Sequence, residues 1–340
     1  MSDTLSPKPI TQLRAVALMV FRALVGAYAL NTILHLLGAL VIGESWHVIA
    51  FLNTFAHLLW MPALLIAPLC LFLRQWRLLA MTLPAVIAFL FIWGDMLLPP
   101  RTLPNDTDGV ALRVLSYNLH ANNRDVNAYT ELIRTANADI VALQEVSDHH
   151  VIALESVFAT TYPYRAFHPG GTRGQGIMSR YPILNDDYWR YEFLRSALGH
   201  QRVELALTDE QRIVVYNVHP SHPGMQGDLF NPDYRSQEIA DLRARITRES
   251  LPVLWAGDFN MSDFSDDYRA VRAVFRDAFR DGGWGMGWTF PNVTSYSTLL
   301  RLDYIFYSRH FRADHAQVMP TLTGSDHRAL YADFTYIRGN

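Results

Sequence analysis

Six short motifs that carry carboxylate, amide and imidazole groups follow one another in the last two-thirds of the chain. Each lies at or beside the end of an apolar, β-prone run. They are SYN (116–118), LQEV (143–146), NVHPSHP (217–223), GDFN (257–260), RLDYIF (301–306) and SDH (325–327). Side chains of these types can hold a divalent cation, orient a water molecule and donate to developing negative charge. The ordered set therefore predicts a metal-assisted site that cleaves a phosphate ester.

Three of these motifs supply candidate metal ligands. Mg²⁺ takes oxygen ligands in proteins, commonly one or two carboxylates together with water molecules. Asn118, Glu145 and Asp326 are suitable ligands if the three strand ends converge. Taken alone, Glu145 is as readily explained as a solvated acid at the end of a strand, and the order of the whole set argues against that interpretation. The sequence predicts Mg²⁺ at this place, with Mn²⁺ as the alternative.

Strand-like runs alternate with helical patterns from residue 111 onwards. Largely apolar runs predict strands that are buried in a sheet. They cover 111–119, 138–146, 176–183, 202–207, 212–219, 251–257, 301–308 and 328–337. Apolar residues at helical spacing predict a helix over 125–136, and Asp233–Arg248 and Ser265–Arg276 are two further predicted helices. Many strands with fewer helices favour two packed sheets with helices on their outer faces.

Three long apolar segments occupy the first hundred residues. They cover about 15–43, 47–73 and 78–98. Each reaches the ~20 residues that a helix needs to cross the hydrocarbon core of a bilayer. A cleaved signal peptide is the alternative for the first segment, but two further segments follow it. We therefore predict a membrane region with three transmembrane helices at 1–100, a proline-containing linker at 101–111 and a globular domain at 112–340.

The basic residues around the apolar segments predict their orientation. Lys8, Arg14 and Arg22 precede or open the first segment, and Arg74 and Arg77 lie between the second and third. Because loops rich in Lys and Arg stay in the cytoplasm, three crossings place everything after residue 100 on the extracytoplasmic side. The chain has 28 arginines and one lysine, which suggests a GC-rich bacterial genome. We expect an integral protein of a bacterial inner membrane.

Composition narrows the class of substrate. Beyond residue 100 the chain has 24 arginines against 29 acidic residues, so this part lacks the basic excess that is typical of proteins gripping long nucleic acids. The single cysteine, Cys70, excludes an intrachain disulfide and a zinc site with two thiolate ligands from this chain.

The ordered motifs resemble the endonuclease/exonuclease/phosphatase family over about 112–340, and GDFN and SDH are the most specific of them. That family includes deoxyribonuclease I, abasic-site endonucleases, neutral sphingomyelinases and inositol-polyphosphate 5-phosphatases. The resemblance implies an α/β fold, a four-layer α/β/β/α sandwich, with the site at one edge of the two sheets. The three transmembrane helices would precede this sandwich.

The resemblance also implies roles for individual residues. Glu145 would be the principal Mg²⁺ ligand, with Asn118 assisting near metal and phosphate and Asp326 close to the metal. Asp258 would orient or deprotonate the attacking water, and Asn260 would bond a phosphoryl oxygen.

Two histidines complete the implied set. Asp303 would hold His327 in its working tautomer, and whether Asp258 or His327 acts as the base stays open. His219 matches a second histidine of the DNase-like and sphingomyelinase-like branches. In DNase-like members that histidine is paired with an acid on an intervening strand, but here the corresponding stretch around Gln175 contains no acid.

The sequence leaves three functional hypotheses. A membrane-anchored, Mg²⁺-dependent phosphodiesterase acting on a lipid headgroup or a small molecule is favoured by the apolar segments and the mildly acidic domain. A membrane-tethered nuclease is the alternative, and a catalytically inactive protein that binds a phosphate ligand is the third. The expected partners are the lipid bilayer and the phosphoester substrate, and no pattern indicates an oligomeric state.

Overall fold

The structure is a computed structural model that divides into two compact units, Met1–Asp95 and Met96–Asn340. The residues that it describes are 9–100, 109–191, 198–225, 227, 229–294 and 297–337. Most of the predicted linker at 101–111 lies outside the described residues, and the first strand of the second unit begins at Val110, before the predicted domain start.

The described residues of the first unit are mainly helical and apolar. Its helices are α1 (Pro9–Val41), α2 (His47–Thr54), α3 (Ala56–Trp60), α4 (Ala63–Phe72) and α5 (Trp76–Trp93). Two stretches, Gln12–Val41 and Trp76–Leu97, are long and apolar enough to cross a membrane. The remaining helices make a third candidate span only if they are taken together as one bent segment. The unit therefore has two or three helices that could span a membrane.

The transmembrane helix predicted at about 47–73 is a bent series of helices in the structure, and its crossing of a membrane stays a prediction. The segments His47–Thr54 and Ala56–Phe72 meet at an angle of 71°. The Phe55 N–H bonds the Leu52 carbonyl at 3.1 Å, three residues back, and this tighter turn ends α2. Further along, Pro62 has no amide hydrogen to donate to the preceding turn, so α3 and α4 are separate helices.

The second unit is built from twelve strands and five helices within its described residues. The strands are β1 (Val110–Asn118), β2 (Ile140–Gln144), β3 (Tyr164–His168), β4 (Gln175–Ser179), β5 (Ile183–Trp189), β6 (His200–Ala206), β7 (Arg212–Val218), β8 (Val253–Asp258), β9 (Arg276–Asp277), β10 (Asp303–Tyr307), β11 (Phe311–Val318) and β12 (Leu330–Tyr336). The helices are α6 (Val126–Ala136), α7 (Asp148–Phe158), α8 (Asp233–Ile246), α9 (Asp266–Arg272) and α10 (Ala278–Gly282).

These strands form two six-stranded sheets. The first sheet has the order β11-β12-β1-β2-β4-β3 and the second has β5-β6-β7-β8-β10-β9. Each sheet contains one parallel pair, β1 with β2 and β7 with β8, while its other neighbours are antiparallel. Helix α6 connects the first parallel pair and α8 connects the second, as parallel neighbours require a crossover.

Helices cover the outer face of each sheet. In the first sheet, alternate residues of β1 such as Leu115 and Tyr117 pack with Ile133 of α6 and Leu154 of α7. In the second sheet, Trp255 and its neighbours pack against α8 and α9. The intervening residues of the central strands are also buried, because they face the other sheet. The predicted α/β/β/α sandwich is confirmed.

A buried amide pair joins the two sheets close to the ends of their parallel strands. Gln144 Nε2 of β2 donates to Asn217 Oδ1 of β7 at 2.6 Å, and Asn217 Nδ2 donates to the Leu143 carbonyl at 2.8 Å. Both side chains are fully buried, where an unmade hydrogen bond costs about 1–3 kcal/mol. The pair therefore fixes how the two sheets are aligned.

The prediction of one strand over 176–183 is wrong. β4 ends at Ser179 in the first sheet and β5 begins at Ile183 in the second. Pro182 lies between them and cannot donate to a strand ladder, so the chain leaves one sheet and enters the other there. The strands β3 and β11 and the helix α7 were not predicted, since their partly exposed or polar residues weaken the periodic pattern.

A buried ion pair in the second unit predicts how stability depends on pH. Asp277 Oδ2 accepts from Arg301 Nη2 at 2.8 Å and from the Tyr268 hydroxyl at 2.7 Å. Burial acts to raise the pKa of Asp277, but Arg301 and the hydrogen bonds outweigh it and hold the pKa below 3.8. The charged carboxylate therefore stabilises the fold above this unfolded value, and its contribution is lost as the pH falls through the lower folded-state pKa.

We expect Asp277→Asn to lower the free energy of unfolding by about 3–5 kcal/mol at pH 7, because it leaves the buried Arg301 without its nearest charge. The measurement is the urea midpoint of unfolding of the full chain in detergent. Tryptophan fluorescence follows the transition at pH values from 7 to 3. The gap in urea midpoint between wild type and variant should narrow as the pH falls below about 4. A gap that widens on acidification would contradict the assignment.

Candidate active site

The polar side chains of the six motifs converge at one edge of the two sheets. In the first sheet, β1 ends at Asn118 and Glu145 directly follows β2, which runs parallel to β1. In the second sheet, β8 ends at Asp258, which pairs with Asp303 at the start of the antiparallel β10. β7 runs parallel to β8 and leads directly into His219. Because parallel strands place their carboxyl ends at one edge, the two sheets present these groups side by side.

Glu145 is held in an unusual backbone conformation at this edge. Its φ is 57°, and His120 and Asn260 also have positive φ, so three of the five such non-glycine residues in the described chain border the site. Conformations of this kind cost about 1–3 kcal/mol each and persist where the surroundings impose them. The Ala121 N–H donates to Glu145 Oε2 at 2.9 Å and Asn118 Nδ2 approaches Oε1 at 3.3 Å. These contacts fix the direction of the carboxylate.

Asp258 lies at the centre of the site. Its Oδ2 is 3.1 Å from Asn118 Nδ2 and 3.3 Å from His219 Nε2. The same oxygen is 3.5 Å from His327 Nε2. Its Oδ1 accepts from the Asn260 N–H at 3.0 Å. One buried carboxylate is thus shared by an amide and both histidines of the site.

The SDH loop is tied to the end of β1 by its serine. Ser325 Oγ donates to the Asn118 carbonyl at 2.7 Å and accepts from the His327 N–H at 3.1 Å. His327 Nδ1 lies 2.8 Å from Asp303 Oδ2. Thr289 Oγ1 accepts from the Asp303 N–H at 3.3 Å, which fixes the backbone at Asp303. These bonds place His327 with its Nε2 towards Asp258.

The charges of these groups stabilise one another. Burial disfavours the imidazolium of His327, but Asp303 and Asp258 outweigh it and raise its pKa to about 10. Burial acts to raise the pKa of Asp258 as well, yet His327 and His219 hold that pKa well below its usual range. Burial also acts to lower the pKa of His219, but the hydrogen bond and the charge of Asp258 outweigh it, so the pKa is raised. At neutral pH the site therefore presents a cationic His327 beside an anionic Asp258.

A buried arginine fixes the backbone of the GDFN motif. Arg235 of α8 pairs with Asp267 at 2.9 Å and donates through Nη1 to the Asn260 carbonyl at 2.9 Å. The Asn260 side chain donates one hydrogen of Nδ2 to the Pro220 carbonyl at 2.9 Å. An amide nitrogen carries two hydrogens, so the second remains for a ligand oxygen.

The groups at this edge open into a cavity of about 520 Å³. Its described lining residues are Glu145, Thr172, Arg173, Leu198, His219, His222, Met225, Asp258, Asn260, Phe290, Leu302, Asp326 and His327. Arg173 is the only arginine or lysine among them. Leu198, Met225 and Phe290 form an apolar wall, so the cavity combines a polar side of carboxylates and imidazoles with a partly apolar side.

Two groups of side chains are candidates for holding a cation. The first is the buried cluster of Asp258, Asp303 and His327, whose ligand atoms lie within 4.8 Å of one another. In this cluster both ring nitrogens of His327 face carboxylates, and its positive charge already compensates them. We therefore interpret this cluster as an acid–imidazole group, and the cation site that the sequence predicts lies in the second group.

The second group consists of oxygen donors that face the cavity. Glu145 and Asp326 are half-buried and line it, and carboxylates of this kind suit a hard divalent cation such as Mg²⁺. Asn118 lies beside Glu145, but its Oδ1 accepts from the His120 N–H at 2.9 Å while its Nδ2 faces the two carboxylates. The donor set fits the ion, and a direct bond from Asn118 to it stays a prediction.

All eight residues that the sequence singled out meet at this edge. Those that line the cavity are Glu145, His219, Asp258, Asn260, Asp326 and His327. Asn118 and Asp303 lie behind them, hydrogen-bonded to Asp258 and His327 respectively. The structure thus brings the predicted residues together, and their individual roles remain predictions.

Several residues of the site were not predicted. They are Arg173, His200, Arg235, Glu238 and Thr289. None belongs to the six motifs, and each reaches the site only when segments that are separated in sequence pack together. The acid expected on the strand of Gln175 is indeed missing, and Gln175 Nε2 instead donates to the Gly199 carbonyl at 2.7 Å. The carboxylate that contacts the His219 ring is instead that of Asp258, 3.3 Å from Nε2.

Comparisons with known proteins match the second unit to one family. The model of the endonuclease/exonuclease/phosphatase family matches residues 115–327. YbhP, an uncharacterized protein of Escherichia coli K12, is 24% identical over 266 residues, which cover 68% of this chain and 99% of that protein.

Two solved structures share the fold of the second unit. A conserved protein of unknown function from Enterococcus faecalis has a TM-score of 0.58 at 18% identity and covers 66% of this chain and 100% of that one. An endonuclease/exonuclease/phosphatase protein from Bacteroides vulgatus has a TM-score of 0.56 at 19% identity and covers 67% and 99%. The chain therefore belongs to the endonuclease/exonuclease/phosphatase family, whose members are typically divalent-metal-dependent phosphoesterases.

Proposed function

We propose that this chain is a membrane-anchored, Mg²⁺-dependent phosphodiesterase that acts on a lipid headgroup or a small-molecule phosphoester. The observation that carries the proposal is the placement of Asp258 between His219 and His327, at the wall of a cavity that Glu145 and Asp326 also line. This arrangement supplies an orienting carboxylate, two imidazoles and oxygen donors for a cation at one place.

The proposed reaction uses two sets of groups that line the cavity, the cation ligands and the Asp258–His327 pair. Glu145 and Asp326 would hold a divalent cation, which would supply Lewis-acid charge to offset the negative phosphoryl oxygens. His327, cationic through its pKa of about 10, donates from Nε2 to a phosphoryl oxygen. Asp258, anionic at neutral pH, accepts a hydrogen bond from the attacking water and orients it.

His219 and Asn260 act on the remaining oxygens. The hydrogen bond to Asp258 raises the pKa of His219 and favours its protonated form, from which a proton can pass to the leaving oxygen that otherwise departs as an anion. The second hydrogen of Asn260 Nδ2 donates to a phosphoryl oxygen. In this account Asp303 does not touch the substrate and holds His327 through Nδ1.

The cavity wall supports a small or lipid-derived substrate. Arg173 is the single arginine or lysine among its described lining residues, and the neighbouring wall of Leu198, Met225 and Phe290 is apolar. Proteins that track a nucleic-acid strand combine a positively charged groove with stacking aromatics. The single basic residue in the cavity lining and the slight acidic excess beyond residue 100 both favour a substrate with one phosphodiester and an apolar part.

We expect the purified full chain to release headgroups from phospholipid vesicles faster than it nicks plasmid DNA. The measurement compares both substrates, and a chromogenic phosphodiester as reference, at equal enzyme and Mg²⁺ concentrations in one buffer. Arg173→Ala should weaken cleavage of an anionic lipid more than that of the reference. Preferential cleavage of DNA would overturn the assignment in favour of a nuclease, and binding without turnover would favour an inactive phosphate-ligand protein.

We also propose that the chain lies in a bacterial inner membrane with its second unit on the extracytoplasmic side. This orientation is supported by Lys8, Arg14 and Arg22, before and in the first half of α1, and by Arg74 and Arg77, at the turn into α5, provided that the bent segment α2 to α4 crosses the bilayer. If the bent segment returns to the side from which it entered, Lys8, Arg14 and Arg22 place the second unit in the cytoplasm and leave Arg74 and Arg77 on the outer side.

Labelling of an introduced cysteine distinguishes the two topologies. In a Cys70→Ser background, Asp209→Cys places one thiol in the exposed turn between β6 and β7. A maleimide that cannot cross membranes should label this thiol in intact spheroplasts to the same extent as in permeabilised ones. Labelling that requires permeabilisation would place the second unit in the cytoplasm.

A further inference from the structure

A buried acid–imidazole pair lies behind His219. His200 opens β6 and Glu238 lies on α8, and neither side chain is exposed to solvent. His200 Nε2 is 3.7 Å from Glu238 Oε1. A fully buried carboxylate is costly unless charge and hydrogen bonds compensate it, so its presence at this place calls for a specific function.

Both members of the pair contact the backbone that carries His219. The His219 N–H points at His200 Nδ1, at 3.4 Å, and the Ser221 N–H donates to Glu238 Oε2 at 2.6 Å. The pair thus holds the chain on both sides of Pro220, whose carbonyl accepts from Asn260. The segment from His219 to Ser221 is fixed at three successive residues.

The chemistry of the imidazole links these contacts. His200 can accept the His219 N–H only if Nδ1 is unprotonated, which puts the proton of a neutral ring on Nε2. Nε2 is the atom that faces Glu238, and a carboxylate there favours this tautomer. Burial lowers the pKa of His200 despite Glu238, in agreement with a neutral ring. Rings of Trp189 and Tyr191, at 5.7 and 5.2 Å between centroids, keep the imidazole in place.

We propose that Glu238 and His200 are positioning residues for His219. Glu238 selects the tautomer of His200, His200 accepts the His219 N–H, and the imidazole of His219 is thereby held with Nε2 at Asp258. The proposal rests on the proposed function for its effect on turnover. Glu238 and His200 thus act through the backbone at His219, whereas Asp258 contacts its ring at Nε2.

Two substitutions of His200 distinguish the loss of its hydrogen bond with the His219 N–H from the loss of its ring shape. His200→Asn places a side-chain oxygen where Nδ1 lies and so keeps an acceptor for the His219 N–H. His200→Phe keeps an aromatic ring of similar shape but has no acceptor. We expect His200→Phe to lower kcat by about 10–100-fold with KM within about threefold, in the range of residues that orient a catalytic group. His200→Asn should stay within about threefold of wild type. Glu238→Gln retains an acceptor for Ser221 and should fall between these two.

A double-mutant cycle tests whether the effect passes through His219. In a His219→Ala background, His200→Phe should cause no further loss of kcat, since the residue through which it acts is already absent. A purely structural role would lower kcat by the same factor in both backgrounds and would overturn the proposal. His315→Phe is the matched control, because His315 faces Asp333 at 3.6 Å on β11 and β12, outside the cavity. It should leave kcat unchanged, and melting temperatures of all variants report folding.

A readout independent of turnover keeps the two proposals apart. Nitrogen-15 spectra of the histidine-labelled full chain, assigned with His200→Asn, should show His200 protonated on Nε2 in the wild type and tautomer exchange in Glu238→Gln. A His200 protonated on Nδ1 would overturn the positioning proposal whatever the activity. An Nε2-protonated His200 in a chain without turnover would leave the positioning intact and count against the phosphodiesterase.

Discussion

Replacing His327 by Gln is expected to lower kcat by about 10³-fold while KM changes little, because the cationic donor is worth most in the transition state. Gln is similar in length and can donate a hydrogen bond, but it carries no charge beside Asp258. The measurement is the steady-state rate on a chromogenic phosphodiester at saturating Mg²⁺. Asp303→Asn should lower kcat as well, since Asp303 holds His327 Nδ1 at 2.8 Å and sustains its charge.

The control for this prediction is His315→Gln, a histidine of a partly exposed ion pair on β11. It should keep wild-type kcat. If His327→Gln raised KM and left kcat unchanged, His327 would contribute to ground-state binding alone, and its assignment as a transition-state donor would be wrong.

Replacing Glu145 by Gln is expected to lower activity at least about 100-fold at a fixed Mg²⁺ concentration, because the cation supplies several kcal/mol of charge stabilisation and loses its main carboxylate. Part of the loss should be recovered at higher Mg²⁺ concentration, which shifts the activation curve and separates metal binding from catalysis. The fold should persist, since Gln can still accept the hydrogen bond that the Ala121 N–H gives to Glu145.

Asp148 provides a matched control for Glu145. It is an exposed acid three residues further along, in the first turn of α7. Asp148→Asn should leave the Mg²⁺ activation curve unchanged. An equal shift in both variants would mean that the general negative charge of this region, and not the Glu145 carboxylate, determines metal affinity.

The sequence predicts the strands that carry the site because their signals are local. The run around β1 is apolar enough to be buried on both faces, and Asn118 ends it; the same holds for β8 and Asp258. Parallel pairing then places Asn118 next to the end of β2, where Glu145 follows. The motif residues are therefore brought together by a topology that a few strong local patterns determine.

The features that the sequence does not predict depend on contacts between distant segments. His200 and Glu238 are 38 positions apart and look like ordinary polar residues until β6 and α8 pack together. The break at Phe55 directly follows Asn53 and Thr54, but the stretch around them is apolar enough that its mean hydropathy does not reveal the break. The step from β4 to β5 is signalled by Pro182, but that signal does not say that the two strands belong to different sheets.

The measurement that tests the central claim most directly is the Mg²⁺ dependence of phosphodiester hydrolysis by the purified full chain, alongside Glu145→Gln. We predict no turnover in the presence of a chelator, recovery of turnover when Mg²⁺ is added, and a right-shifted, strongly reduced response in the variant. Turnover that persists in chelator, or a Glu145→Gln curve that coincides with wild type, would contradict the account of a metal-assisted phosphodiesterase built on Glu145.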